Sequence, residues 1–506
     1  MSRTAALLLL AACEVPIPKG LGDDSGSGHT GETGRPDDTG TPDETGHTGE
    51  SDPPDDTSPP DDTSPPDPDY PYEGDVAWAD LGPCLYGDQR SASLGTIGAS
   101  GDTNGDGQPD VWVGATDWLP PDSGTRTGYG AAFLFLGPAT VDEDLDAADA
   151  SLVGAESGDW AGYSLDLADL DGDGYDDGLM GAPYASGITT GGTHSGVVYV
   201  AYAPLSGAVS ADASRTGDSA DVLAGEVAAA GDLDADGAQD LLIGAPTSGA
   251  YLEGAAYLLS GPLEGTDTTD SARTALSGVE LNGYLGLTVA AAGDNNADGY
   301  DDALIGSNGT AWLLMGPSKA GSYTVTDLGY QIDGAVDGDG AGIALGSAGD
   351  LNADGYDDLW IGAPTSDAGG VAVFLGPTVP TRLAEADFKF IATDSGDGRG
   401  WSLAAEDLDL DGTLDLLIGA PQLVSVGAGE VWVYHTPTAG TYTGEDTTAV
   451  ISGALSGDET GGRLGLRAST GAGTPGQPAV WVGASGNDDA KNEAGAVCLL
   501  PGVEAD

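Results

Sequence analysis

The strongest constraint on this chain is a repeat. From residue 76 onward the sequence returns to itself with a period near 60 residues, seven times over. One apolar run ends Val111-Trp112-Val113-Gly114-Ala115, then Leu179-Met180-Gly181-Ala182-Pro183 and Leu242-Ile243-Gly244-Ala245-Pro246. It returns as Leu304-Ile305-Gly306-Ser307, Trp360-Ile361-Gly362-Ala363-Pro364, Leu417-Ile418-Gly419-Ala420-Pro421 and Trp481-Val482-Gly483-Ala484. A second apolar run follows each, from Ala132-Phe133-Leu134-Phe135 to Ala496-Val497-Cys498-Leu499, and most close with a Gly-Pro such as Gly137-Pro138 or Gly376-Pro377. The runs are short, partly β-branched or aromatic, and bounded by Gly, Pro and Asp. These are strand signals, with no 3.6-residue periodicity. Four short strands per unit, seven times, predict an all-β, seven-bladed β-propeller over residues 76–506. A solenoid is the alternative.

Between the first and second strand of six repeats lies an acidic nine-residue loop. Oxygen-bearing side chains stand at its positions 1, 3, 5 and 9, with Gly at 6. The first three sets are Asp102, Asn104, Asp106 and Asp110; Asp169, Asp171, Asp173 and Asp177; and Asp232, Asp234, Asp236 and Asp240. The others are Asp294, Asn296, Asp298 and Asp302; Asp350, Asn352, Asp354 and Asp358; and Asp407, Asp409, Asp411 and Asp415. Alternate residues converge on one point when the chain curls, and the Gly permits the turn. A cage of hard oxygens suits Ca²⁺, which takes six to eight of them. The backbone carbonyl of position 7 is the expected extra ligand, from Gln108, Tyr175, Ala238, Tyr300, Tyr356 and Thr413. About six Ca²⁺ are expected, one per loop. No Cys or His lies within these loops, which argues against zinc.

The spacing begins like an EF-hand, which requires a bidentate Glu at position 12. Position 12 is Val113, Met180, Ile243, Ile305, Ile361 or Ile418, each inside an expected strand, so that reading fails six times. Merely polar turns are the other alternative. Carboxylates this close repel by roughly 1–4 kcal/mol per pair without a cation, so six chance copies are a poor account.

A strand, a D-x-[DN]-x-D-G-x-x-D loop and then Gly-Ala-Pro resemble the FG-GAP repeat of integrin alpha-chain propellers and of similar secreted bacterial proteins. The Phe-Gly half is degraded, as in Gly162-Tyr163-Ser164-Leu165 and Gly400-Trp401-Ser402-Leu403. The seventh repeat has Gly471-Ala-Gly-Thr-Pro-Gly-Gln-Pro-Ala479 in place of a loop, without a carboxylate, so no metal is expected there.

The resemblance also implies how the ring closes. In the family's geometry an outer strand follows the third, as in Ser151-Leu152-Val153-Gly154, and the seventh repeat lacks one. Cys84-Leu85-Tyr86-Gly87, ahead of the first complete repeat, matches that outer strand and is expected to supply it. Cys84 and Cys498 would then face each other and form a disulfide in an exported protein; two free buried thiols are the alternative.

The N-terminus reads as an address. Arg3 and the apolar residues 5–12 have the form of a secretory signal, too short to span a bilayer. Leu10-Ala11-Ala12-Cys13 resembles the lipobox of bacterial lipoproteins, which makes Cys13 the expected lipidated residue and the mature chain a lipid-anchored one. Residues 13–75 repeat Asp-Asp-Thr and Pro-Pro; from residue 14 they hold 18 Asp and Glu against two Lys and Arg. With almost nothing apolar to offset the ordering entropy, they read as a disordered, extended stalk. His29 and His47 in it are isolated and expected to be solvated.

Charge bounds the partners. The 506 residues carry 83 Asp and Glu against 14 Lys and Arg, a formal net charge of −69, which excludes nucleic acid and direct docking on an anionic membrane. The loop ligands and the stalk account for much of it. No catalytic motif stands out: there is no G-x-S-x-G, H-E-x-x-H or Walker loop. His194, in a Gly-rich loop, is expected to be exposed, and His435, at the end of a third strand, structural. Trp118 and Trp160 lie between strands and are expected to be exposed, where they either stack on sugars or pack between blades. The leading expectation is a calcium-binding, lipid-anchored binding or adhesion module on the bacterial cell envelope, at the outer membrane or cell surface, with a protein or glycan ligand. It is expected to lack enzymatic activity. The alternatives are an extracellular polysaccharide- or lipid-acting hydrolase or lyase, and a purely structural envelope protein.

Overall fold

The structure, a computed structural model, describes residues 74–502 apart from short stretches, of which 453–463 and 466–478 are the longest. The signal, Cys13, the stalk as far as residue 73, His29 and His47 lie outside the described residues, as does the seventh repeat's loop apart from Ala479.

The repeat forms seven sheets arranged as the blades of a β-propeller ring. In each, four strands run as an antiparallel meander. Blade one is Leu94–Gly101, Asp110–Ala115, Ala131–Phe135 and Ala150–Val153. The second strands of the other blades are Asp177–Ala182, Asp240–Ala245, Asp302–Ser307, Asp358–Ala363, Asp415–Ala420 and Ala479–Ala484. Every residue of all seven second strands is buried. The reason is that a neighbouring blade covers each face. Val111 and Val113 pack with Trp481, Val497 and Leu499 of blade seven, while Trp112 packs with Leu165 and Met180 of blade two. A strand buried on both faces reads as a continuous apolar run rather than an alternation, which is how these strands appear in the sequence. The Trp112 indole N–H also donates across this boundary to the Leu179 carbonyl at 3.0 Å.

The Gly near the end of the second strand has a physical cause in the same boundary in five blades. A Cβ on Gly114, Gly181, Gly244, Gly306 or Gly362 would lie 1.9–2.2 Å from a backbone carbonyl of the next blade, that of Gly162, Gly225, Gly286, Gly342 or Gly400. Blade contact at that level is backbone on backbone, and only glycine fits.

Two expectations are corrected. Blades have five strands, not four, in six of the seven sheets. The fifth is lent by the next blade: Gly207–Val209 of blade two runs parallel to Ala150–Val153 of blade one, and Gly265–Thr268 of blade three to Ala213–Thr216 of blade two. These added strands are short, polar and largely exposed, so no hydrophobic pattern marks them. In the remaining sheet, which contains Asp302–Ser307, one parallel bridge joins Asp333 to Arg382. The second correction is the propeller's start. Gly74–Ala77 pairs in parallel with Ala449–Ser452 of blade six, so the first strand begins two residues inside the expected stalk.

The ring closes as expected. Cys84–Tyr86 pairs antiparallel with Ala496–Pro501 as the outer strand of blade seven, with Cys84 opposite Cys498. The two cysteines form a disulfide, Cα–Cα 4.1 Å, across 414 residues of sequence. The first strand of blade one completes the circuit, Leu94–Gly101 packing against Ser164–Ala168 of blade two on one side and the second strand of blade seven, Ala479–Ala484, on the other.

Candidate metal centre

Each acidic loop turns the chain from a first strand into a second, so the six loops project from one end of the ring. Their backbone is folded by their own carboxylates. The position-1 Asp takes inward amides on both oxygens. Asp169 Oδ1 accepts from the N–H of Gly172 and Asp173 at 2.7 and 3.0 Å, and Oδ2 from Gly174 at 2.9 Å. Asp102, Asp232, Asp294, Asp350 and Asp407 do the same for their position-6 amides at 2.8–3.0 Å. The position-5 Asp accepts the N–H of position 7, from Gln108, Tyr175, Ala238, Tyr300, Tyr356 and Thr413, at 2.7–3.1 Å.

The position-9 Asp opens the second strand and is buried in all six loops. One oxygen accepts the position-2 amide, as Asp177 does from Leu170 at 3.0 Å. The other reaches the exit of the third strand: Asp110 accepts from Gly137, Asp177 from Ala203, Asp302 from Gly316 and Asp358 from Gly376, at 2.8–2.9 Å. Burial pushes the carboxyls of Asp177, Asp240 and Asp302 up to about 7 and that of Asp358 to about 6, with neighbouring loop carboxylates adding to the rise. Both causes penalise the anion, and a cation among these oxygens would remove the penalty.

The predicted ligands converge. Asp169, Asp171 and Asp177 each bring an oxygen within 4.8 Å of the others, as do Asp232, Asp234 and Asp240, and Asp407, Asp409 and Asp411. In the third loop Oδ1 of Asp234 and Oδ1 of Asp240 are buried without a hydrogen-bond partner. Orphaned anionic oxygens in a dry site are what a hard divalent cation satisfies. Positions 1, 3, 5 and 9 therefore fit such an ion. In the first, fourth and fifth loops Asn104, Asn296 and Asn352 stand at position 3. Asn296 Nδ2 donates to Asp302 at 3.4 Å and Asn352 Nδ2 to Asp354 at 3.0 Å.

Three features escaped the sequence reading. The position-8 Asp ties neighbouring loops together: Asp176 accepts the Asp102 amide, Asp301 that of Asp232, and Asp357 that of Asp294, each at 2.8 Å. The recurring Tyr-Asp-Asp at the ends of the second, fourth and fifth loops was the available signal. Arg273 pairs with the Asp234 carboxylate at 2.9 Å, a cation supplied from outside the third loop. His435 is not merely structural. It follows the strand Glu430–Tyr434 directly and its ring lies among the sixth loop's carboxylates, Nδ1 2.9 Å from Asp415 and Nε2 3.5 Å from Asp409.

At the other end of the ring, His194 is exposed as expected. Trp118 and Trp160 are half-buried rather than exposed. Trp118 packs edge-on against Phe133 at 5.5 Å, and Trp160 against Tyr184 at 4.1 Å.

The FG-GAP repeat model matches residues 161–201, 224–259, 341–374 and 399–434, which are blades two, three, five and six. Mouse (Mus musculus) integrin alpha-IIb is 31% identical over 221 residues, 38% of this chain and 20% of that protein. Integrin alpha-PS2 of Drosophila melanogaster is 29% identical over 252 residues, 46% of this chain and 17% of that one. The phosphatidylinositol-glycan-specific phospholipase D of Rattus norvegicus is 30% identical over 410 residues, 70% of this chain and 47% of the enzyme. The chain thus spans a fifth or less of these integrins and about half of the phospholipase. Each matched span begins within a residue of the glycine on which the preceding blade's second strand rests, Gly162, Gly225, Gly342 or Gly400. Repeat, ring and relatives agree that the chain is an FG-GAP-repeat protein with an integrin-alpha-like β-propeller.

Proposed function

We propose that this chain is an extracellular binding module whose propeller is braced by calcium in the six acidic loops and which is held on the cell envelope through lipid on Cys13. The observation that carries the calcium reading is the pair of orphaned buried oxygens, on Asp234 and Asp240, inside a converging carboxylate cluster. The loop Asp and Asn side chains at positions 1, 3, 5 and 9 would hold the ion, with the position-7 carbonyl as a further donor. Calcium supplies charge neutralisation there and no reaction.

The loops joining second to third strands, and fourth strands to the next blade, lie at the end of the ring away from the metal loops. That end presents Tyr251 and Leu281, 65% and 68% exposed, and also carries the Trp160–Tyr184 pair. Aromatic and apolar groups on variable loops over a rigid scaffold suit a protein or glycan ligand.

Calorimetry of the full chain tests the bracing. A site at a hundred times its dissociation constant adds about 2.7 kcal/mol, so calcium raises the melting temperature and a chelator lowers it. A melting temperature indifferent to both removes the calcium reading. A glycan and protein array, with and without chelator, tests binding; the absence of any calcium-dependent ligand counts against the module. Replacing Cys13 with Ser releases the chain from cells if the lipid holds it, and an unchanged distribution overturns the anchor.

A second reading, a lipid-acting hydrolase, is favoured by one observation, the match to the rat phospholipase D over 70% of this chain. Release of product from glycosylated phosphatidylinositol by the purified chain would support it; binding without turnover favours the module.

A further inference from the structure

We infer that the sixth loop is a mixed nitrogen–oxygen site that takes a first-row transition dication of the zinc class, with His435 and Asp409 as ligands and Asp415 holding the imidazole. The inference rests on the reading of these loops as metal-binding and departs from it in the identity of the ion.

The first observation is positional. The residue two before the Pro at the third-strand exit is Leu136, Tyr202, Ser260, Met315 or Leu375 in the first five blades, and His435 in the sixth. Ser260 and Met315 show that this position reaches the loop. The Ser260 hydroxyl donates to the Asp234 carboxylate, and the Met315 sulfur lies 3.4 Å from Asn296 Nδ2. Only in the sixth blade does it bring a nitrogen ligand.

The second observation is the hydrogen bond between His435 and Asp415. Asp415 Oδ1 lies 2.9 Å from His435 Nδ1, while its Oδ2 accepts the Leu408 amide at 3.1 Å. A carboxylate that takes the Nδ1 proton fixes the tautomer with the lone pair on Nε2. This is the carboxylate–histidine–metal arrangement that orients a ligand and raises its basicity.

The third observation is where Nε2 then points. It lies 3.5 Å from Asp409 Oδ2, long for a hydrogen bond. Two ligands at about 2.0–2.1 Å from a tetrahedral ion sit roughly 3.4 Å apart. Asp409 and Asp415 side chains are 3% and 0% exposed and the His435 ring 19%, so the pair is dry but reachable from solvent. Asp407 and Asp411 each bring an oxygen within 4.8 Å of Asp409 in an adjoining cluster. Calcium takes oxygen alone, whereas imidazole with carboxylate suits zinc and its neighbours. The other loops, without a ring nitrogen, keep the calcium chemistry.

The competing account is that a protonated His435 is itself the cation between two carboxylates. Long-range proton–nitrogen spectra separate the two, because the chain has four His. Zinc chloride is titrated into the full chain in excess calcium, with the imidazole nitrogens observed. The expected result is that one equivalent shifts Nε2 of His435 and leaves its Nδ1 protonated, and that His435→Gln weakens zinc binding at least about tenfold. His435 signals unmoved by zinc, both nitrogens protonated throughout, or zinc displaced by comparable calcium each overturn the inference. The two readings fail separately. Calcium stabilisation with His435 silent to zinc sinks the sixth-site inference alone. A zinc-shifted His435 without calcium stabilisation sinks the calcium reading alone.

Discussion

Removing the seam disulfide is the most direct test of how this ring is held shut. Cys84 and Cys498 are 6% and 0% exposed, and their bond closes a loop of 414 residues. In the chain-entropy account a loop that long removes about 6 kcal/mol of unfolded-state freedom. Over the roughly 430 residues of the described propeller, an unfolding entropy of about 2.1 cal/mol/K per residue turns that into a drop of about 6–7 °C. The perturbation is Cys84→Ala with Cys498→Ala, which leaves the backbone pairing of Cys84–Tyr86 with Ala496–Pro501 in place. The assay is calorimetry in excess calcium, oxidised and reduced, beside a thiol count on denatured, unreduced protein. The variant and the reduced wild type should melt together, several degrees below the oxidised wild type. Two recovered thiols from these cysteines in the unreduced wild type would refute the bond. A bond confirmed by thiol count but worth less than about 1 °C would refute the argument that closure entropy controls the ring.

Gly181→Ala and Gly178→Ala form a matched pair on one strand. A Cβ at 181 meets the Gly225 carbonyl at 1.9 Å and should cost about 3 kcal/mol, whereas at 178 it meets only side-chain atoms of Leu205 and Trp112 at 3.2–3.3 Å and should cost about 1 kcal/mol by urea unfolding. Asp357→Ala removes the carboxylate that accepts the Asp294 amide, and should cost about 1–2 kcal/mol and weaken calcium binding at the fourth loop by calorimetric titration, leaving the second unchanged. Arg273→Ala should lower the melting temperature in chelator more than in calcium, because the guanidinium partly stands in for an ion at Asp234; equal losses in both would remove that role. Chelation should leave the strand signal in far-ultraviolet circular dichroism intact at 25 °C while lowering the melting temperature; collapse of that signal would show that the ions build the fold.

How much was legible depended on whether burial left a pattern. Strands such as Asp240–Ala245 announce themselves because both faces are covered, and the closing strand Cys84–Tyr86 because its residues match the outer strands of complete repeats. The lent strands were hidden. Gly207–Val209 and Gly265–Thr268 lie on the rim with their side chains largely in solvent, so backbone pairing alone defines them. The site divides in the same way. Asp177 and its counterparts were legible because the alternate-residue code lies within nine residues. His435 stands 20 positions beyond Asp415 and reaches it only because the second and third strands pair, Leu416 opposite Tyr434. Asp176 was visible as a residue but not as a tie, since its partner amide belongs to the preceding blade.

The loops also explain how so acidic a chain keeps a fixed shape. Every position-1 Asp accepts amides of its own loop, and every position-9 Asp joins the second strand to the loop or to the third-strand exit. Carboxylates used in this way are structural acceptors before they are ligands. The cost is charge concentrated where burial makes it unfavourable, as the raised Asp177, Asp240 and Asp302 carboxyls record. The third loop meets that cost from within the chain, with Arg273 beside Asp234. A preformed cage lowers the ordering cost of an entering cation, because the amides already hold its ligands in place. Affinity in each loop then follows how much uncompensated charge remains, which ranks the third loop, whose Asp234 is already paired with Arg273, below the second, where Asp also stands at all four positions.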